Sequence, residues 1–263
     1  MIKRLFIIFI LLFWSCDEVV IEQDNPLDPG NPEFEPPTVT FISGPDDGET
    51  ITTSDVTFVW DGNDLITEYR TKYNNDSWAE WSNETSVTFQ YLDEGSYSFS
   101  IQGRYSTGDT SAVIANNFYV DAVQGPALMF YPRARFSNGG WNVTFQILAE
   151  EVTSLTAAQF NVTFDPDKLE IISVIQGSLL QLSGESIFNV EFDNETGSLS
   201  VITAALGGDL PSADGTGALL ELVLAIKATG TSILEFDGTE LFRDPDNNDI
   251  TILEKVDGMV VAE

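Results

Sequence analysis

From Thr38 onward, apolar and polar positions alternate with a period of two, in short runs rich in β-branched and aromatic residues. In the first half this pattern predicts strands over Val39 to Ile42, Val56 to Trp60, Tyr69 to Tyr73, Ser86 to Tyr91, Ser96 to Tyr105 and Asn117 to Val120. Turn chemistry separates them, as in Gly44-Pro45-Asp46-Asp47-Gly48, Asp61-Gly62-Asn63-Asp64 and Asn74-Asn75-Asp76. In the second half it predicts nine strands: Leu128 to Tyr131, Trp141 to Glu150, Ala157 to Phe164, Glu170 to Gln176, Phe188 to Phe192, Ser198 to Ala205, Ala218 to Ala228, Ser232 to Phe236 and Gly258 to Val261. A short extra strand fits Ile250 to Leu253. The run Leu219 to Ile226 contains good helix formers, but glycines bracket it and its apolar residues are nearly continuous, as in a strand buried on both sides. Connections in this second half are short enough for antiparallel pairing. The expected fold is all-β, two β-sandwich domains at 38–121 and 127–263 joined by a connector at 122–126 around Gly125-Pro126.

The first fifteen residues follow another pattern. Lys3 and Arg4 precede the apolar run Leu5 to Trp14, and Ser15-Cys16 closes it. Ten residues of helix reach ~15 Å, against about 30 Å of hydrocarbon, so the segment reads as a signal peptide at 1–15 rather than a membrane span. Cys16 is the only cysteine of the chain and has no intramolecular disulfide partner. Its place at the end of the run resembles the bacterial lipobox, which implies acylation of Cys16 and an extracytoplasmic chain held to the membrane, at the outer membrane or cell surface. Phe13 stands where that motif usually has leucine. Residues 16–37 hold Pro26, Pro29, Pro32, Pro36 and Pro37 among acidic residues, the composition of a semi-rigid tether.

Two further resemblances give the domains expected identities. Tyr69, Tyr73, Trp78 and Trp81, followed by Leu92-x-x-Gly95-x-Tyr97-x-Phe99, resemble bacterial fibronectin type III and related Ig-like modules. In the second half, Phe160-x-Val162-x-Phe164-Asp165-Pro166-x-x-Leu169-Glu170-Ile171-x-x-Val174-x-x-Gly177 resembles the cohesin family. That likeness continues through Gly217-Ala218-Leu219-Leu220 and Lys227-x-x-Gly230 to Val256-Asp257-Gly258-x-Val260-Val261. It implies a nine-stranded jelly roll that docks dockerin modules of other secreted proteins, often polysaccharide-degrading ones. Carried over by position, it places Ala157, Gln159, Asn161 and Thr163 on one outward row and Val201, Thr203, Ala205 and Leu206 on the other. Ala157 and Gln159 stand where that family tends to carry Asn or Asp, and Leu206 where it carries an acidic residue, though a row with little charge suits the centre of an interface.

Composition narrows the chemistry. The formal charge is −31, from 42 acidic and 11 basic residues, which excludes nucleic acid as a partner. With no histidine and one committed cysteine, Ser-His-Asp and Cys-His catalysis and ordinary zinc sites are excluded, and no carboxylate pair stands out, so no enzyme is expected. No cofactor is expected beyond a structural calcium at Asp244, Asp246 and Asn248, where oxygen ligands alternate. Asp249 and Lys255 replace the glycine and glutamate of an EF-hand loop, and an ordinary acidic loop is the competing reading. Trp78 and Trp81 are candidate glycan contacts or, alternatively, packing residues. Three functions stay open at this point: a surface anchor for dockerin-like partners, a glycan-binding lipoprotein, and a spacer without a ligand.

Overall fold

The computed structural model describes residues 25–137, 142–182, 185–207 and 212–263. Cys16, the signal segment and Trp141 lie outside them. Among the described residues there is no helix, and none long and apolar enough to cross a membrane.

The N-terminal unit contains β1 (Val39–Ser43), β2 (Glu49–Ile51), β3 (Val56–Gly62), β4 (Glu68–Tyr73), β5 (Ser86–Phe89), β6 (Gly95–Arg104) and β7 (Ile114–Val120). They form two sheets, β1-β3-β5 and β2-β7-β6-β4. The alternation in sequence explains the core: Val56, Phe58 and Trp60 of β3 point inward, as do Phe99 and Ile101 of β6 and Phe118 and Val120 of β7. Phe58 and Phe99 stack at a centroid distance of 4.5 Å, joining the two layers of a β-sandwich. The end of the proline-rich segment is pinned to this unit, because the Tyr105 hydroxyl donates to the Glu35 carbonyl at 2.8 Å.

The C-terminal unit contains β8 (Ala127–Tyr131), β9 (Ala134–Ser137), β10 (Asn142–Leu155), β11 (Ala157–Thr163), β12 (Leu169–Gln176), β13 (Ser186–Asp193) and β14 (Ser198–Ala205). It continues with β15 (Ala213–Ile226), β16 (Gly230–Phe236), β17 (Leu241–Arg243), β18 (Asp249–Ile250), β19 (Glu254–Val256) and β20 (Gly258–Ala262). One sheet runs β12-β15-β10-β8-β19, and the other runs β13-β14-β11-β16-β20-β9 with β17 paired to β11. Between them lies a core of Phe130, Phe145, Ile147, Phe160, Val201, Leu222, Leu224 and Phe242.

Two expectations need correction. Pairing in the second half is not all antiparallel: β8 with β19 and β9 with β20 are parallel, as is β2 with β7 in the first half. Nor is the Leu219 to Ile226 run buried on both sides. It is the second strand of its sheet, and Glu221 and Val223 on its outer face are only half-buried, while Leu220, Leu222 and Leu224 fill the core.

Ion pairing at the junction of the two units has a consequence for pH. Arg133 pairs with Glu94 at 3.1 Å, and its backbone N–H donates to the Asp93 carboxylate at 2.7 Å. Burial pushes the Asp93 and Glu94 carboxyls above their ordinary values despite Arg133, and does the same for Glu150 despite a hydrogen bond from Thr216. Hydrogen bonds hold Asp47, Asp165, Asp193, Asp237 and Asp244 below theirs. Groups with raised values bind protons more readily when folded, so they add stability as pH falls from neutral toward their ordinary range. Groups with lowered values act oppositely and withdraw stability below the ordinary aspartate value of 3.8. Scanning calorimetry should therefore find Tm rising from pH 7 to a maximum at about pH 4 to 5, then falling. A steady decline from pH 7 would contradict this assignment.

Candidate docking face

In β11, Ala158, Phe160 and Val162 are buried, which turns Ala157, Gln159, Asn161 and Thr163 outward as the sequence pattern predicts. The partner strand β14 has the opposite phase to the one expected. Val201 is opposite Phe160 and Thr203 is opposite Ala158, and directly opposed residues share a face. Val201, Thr203 and Ala205 are accordingly buried, at 0%, 0% and 2% exposure, and the outward residues are Ser200, Ile202 and Ala204. Leu206 lies beyond the strand and is half-buried, its N–H donating to the Glu185 carbonyl at 2.7 Å. The physical reason for the error is that Val201, Ile202, Ala204 and Ala205 put apolar residues on both parities. The polar Thr203 then mimics an outward residue in sequence, yet its hydroxyl is enclosed without a hydrogen-bond partner.

The register assembles the face in rungs. Asn189, Ile202, Gln159 and Leu241 stand side by side across β13, β14, β11 and β17. The next rung is Ile187, Ala204, Ala157 and Arg243, and on the other side come Glu191, Ser200 and Asn161. Ile187, Ile202 and Leu241 leave about two-fifths of their surface in solvent, at 42%, 41% and 39%. One end of the face is thus apolar. The other end is a groove of about 450 Å³ between Asn161, Thr163, Ser198 and Ser200, walled by Glu191, Asp193 and Asp237. The Asn161 amide donates to Asp237 and to the Thr239 hydroxyl, both at 3.0 Å, which fixes its orientation. Hydrogen bonds from Thr239 and Asn161 hold the Asp237 carboxyl below the usual range, and the Glu195 N–H and Thr196 do the same for Asp193. Both are anionic at neutral pH. By contrast, the outer side of the other sheet is partly covered, since Val123 of the connector packs on Ala127, Met129, Leu148 and Val256.

Sequence reasoning missed Ile187, Asn189, Ser200, Ile202 and Leu241. The signal that finds four of them, all but Leu241, is the pairing of β14 with β11 and β13, which no single strand contains.

Comparison with known proteins bears on this half of the chain. Residues 136–261 match the sequence model of the cohesin domain. They form a cohesin domain. Similar solved structures include a non-cellulosomal cohesin from the archaeon Archaeoglobus fulgidus, 17% identical over 52% of this chain and 90% of that one, with a TM-score of 0.43. A type I cohesin–dockerin complex from Clostridium thermocellum is 17% identical over 52% and 98% of the two chains, with a TM-score of 0.46. The sixth cohesin of scaffoldin B from Acetivibrio cellulolyticus, solved with a dockerin, is 25% identical over 53% and 100%, with a TM-score of 0.45. No curated protein matches the chain.

The remaining candidates are Trp78 and Trp81 and the loop holding Asp244, Asp246 and Asn248. Trp78 and Trp81 are half-buried, and both carry the Arg70 guanidinium 4.8 Å from the ring centroid. Arg104 adds a second cation over Trp81 at 4.4 Å, and its own guanidinium pairs with Glu68 at 2.6 Å. A sugar stacking on Trp81 has to compete with two cations for that ring. In the loop between β17 and β18, the Asp244 carboxylate accepts from the Asn248 N–H at 2.8 Å and the Asn248 amide at 2.9 Å. These bonds tie Asp244 to Asn248 across the turn. Among the described residues no three acidic side chains gather to hold a metal ion.

Proposed function

We propose that the cohesin domain docks a dockerin-type module of a partner protein on the outward face of β13, β14, β11 and β17. The observation that carries this reading is the exposure of Ile187, Ile202 and Leu241 on two adjacent rungs around the uncharged Ala157, Gln159 and Ala204, in a chain of net charge −31. A charge-depleted apolar centre with a polar margin is how docking surfaces are built. The solved relatives from Clostridium thermocellum and Acetivibrio cellulolyticus are complexes with dockerins, which supports the same class of partner here. Glu191, Asp193 and Asp237 at the polar end fit a lysine or arginine of that partner. The reading involves no catalytic step. Acylation of Cys16 would hold the chain at the bacterial cell surface, where membrane attachment concentrates captured proteins, in a role tied to polysaccharide use.

The test is Ile202→Lys in the full chain, titrated calorimetrically against dockerin modules encoded in the same genome. The expected loss is about 30-fold or more, ~2 kcal/mol at a central contact, with Tm unchanged. Undiminished binding by this variant, or no dockerin bound by the parent chain, would overturn the reading.

A further inference from the structure

The structure assigns a second binding site, for a neutral saccharide chain, to the outward face of β7 and β6, beside the turn that follows β4, in the N-terminal unit. This site is independent of the docking proposal and lies apart from Trp78 and Trp81. Its floor is made of small side chains, because Ser96 pairs with Tyr119 and Ser98 pairs with Asn117 across β6 and β7. Taller groups rise on either side: Tyr119, 45% exposed, on β7, and the Asn74-Asn75 turn following β4. Between them lies a groove of about 530 Å³, inside the range of small-ligand sites. Three neighbouring strands span about 10 Å between the outer two.

The groove is ordered from behind. The backbone N–H and side-chain amide of Asn117 both donate to one oxygen of Asp47, each at 2.9 Å, which leaves the Asn117 amide oxygen to accept from a ligand. Asn74 accepts the Ser98 N–H at 2.8 Å, which sets the turn against the strand. Tyr97, between Ser96 and Ser98, turns its ring to the core side, where it stacks on Tyr73 and Phe118 and backs the floor.

The chemistry of the lining identifies the ligand class. None of the residues lining the groove is charged, although the chain carries 42 acidic and 11 basic residues, and the Asp47 carboxylate beside it already accepts twice from Asn117. An anionic ligand finds no counter-charge in the lining. Hydroxyls and amides that both donate and accept, beside one exposed aromatic face, match the alternating hydroxyls and apolar ring faces of a neutral sugar. A peptide added as a strand is excluded, since β6 lies between β7 and β4, and β7 lies between β2 and β6, so neither offers a free edge.

The test is calorimetric titration of the full chain with cellohexaose, xylohexaose, mannohexaose and laminarihexaose, with hexagalacturonate as the anionic comparator. At least one neutral hexamer should saturate a single site, and hexagalacturonate should not. Tyr119→Ala should weaken that binding by about tenfold, the scale of one aromatic contact, while Tyr119→Phe retains it. Ser98→Trp, which fills the floor from the outside, should abolish it. Dockerin binding should be the same in all three variants, so failure here and failure of the docking reading are distinguishable. Saturation by none of the neutral hexamers, preference for hexagalacturonate, or parental affinity in Tyr119→Ala would overturn the proposal.

Discussion

Val201→Lys removes the cooperative unfolding transition of the cohesin domain, whereas Ile202→Lys, one residue further along β14, leaves it intact. Val201 is fully buried, sits opposite both Phe160 and Val190, and belongs to the cluster that joins the two sheets. An ammonium group placed there has no carboxylate within that apolar cluster to pair with, and burial without a partner costs several kcal/mol. The loss should exceed about 4 kcal/mol, against a total stability on the order of 5 to 15 kcal/mol for a domain. Near-ultraviolet circular dichroism on heating would show it, since the packed aromatic core of this half would lose its signal while Ile202→Lys melted with the parent. A Val201→Lys chain that melts like the parent would place Val201 outside and invert the docking face.

The contrast between these neighbours shows which parts of the molecule a one-dimensional pattern contains. Long strands with one clear apolar parity were legible: the inward set of β3, Val56, Phe58 and Trp60, is also the buried set, and the ends of β14 at Ser198 and Ala205 coincide with those expected. The short strands β2, β9, β17 and β19, of three or four residues, were not. Three of them take part in the parallel pairings, where contacts between segments far apart in sequence supply what local pattern does not. On the candidate face, the phase of β11 was legible because Phe160, Val162 and Phe164 are bulky and unambiguous. The phase of β14 was not, because its parity is decided by register against β11. The aromatic residues carried a different ambiguity. Trp78 and Trp81 resembled a sugar platform in sequence, and only the fold brings Arg70 and Arg104 over their rings.

The glycine that closes the first cohesin-like motif leads to a second large effect. Gly177 follows β12 where the chain presses on β15: its N–H donates to the Leu219 carbonyl at 2.8 Å, and two residues on the Leu179 N–H donates to the Ala218 carbonyl at 2.9 Å. A methyl group at position 177 would lie 2.2 Å from the Ala218 oxygen and 2.5 Å from its carbonyl carbon. Backbone cannot yield there as a flexible side chain would, so Gly177→Ala has to push β12 off β15 and break one or both of these bonds. The displacement also draws on Leu180, buried to 1% exposure in the core just beyond. The expected cost is about 3 kcal/mol. Gly215→Ala supplies the control, because Gly215 has a φ of +88° but open space where the methyl group would go. It should lose only about 1 kcal/mol, the penalty of a left-handed backbone conformation alone. Urea titrations read both, as a lower midpoint at unchanged slope. If Gly215→Ala proved the more damaging, backbone conformation rather than close approach would govern this side of the sandwich, and the tight seam between β12 and β15 would not be what requires glycine at 177.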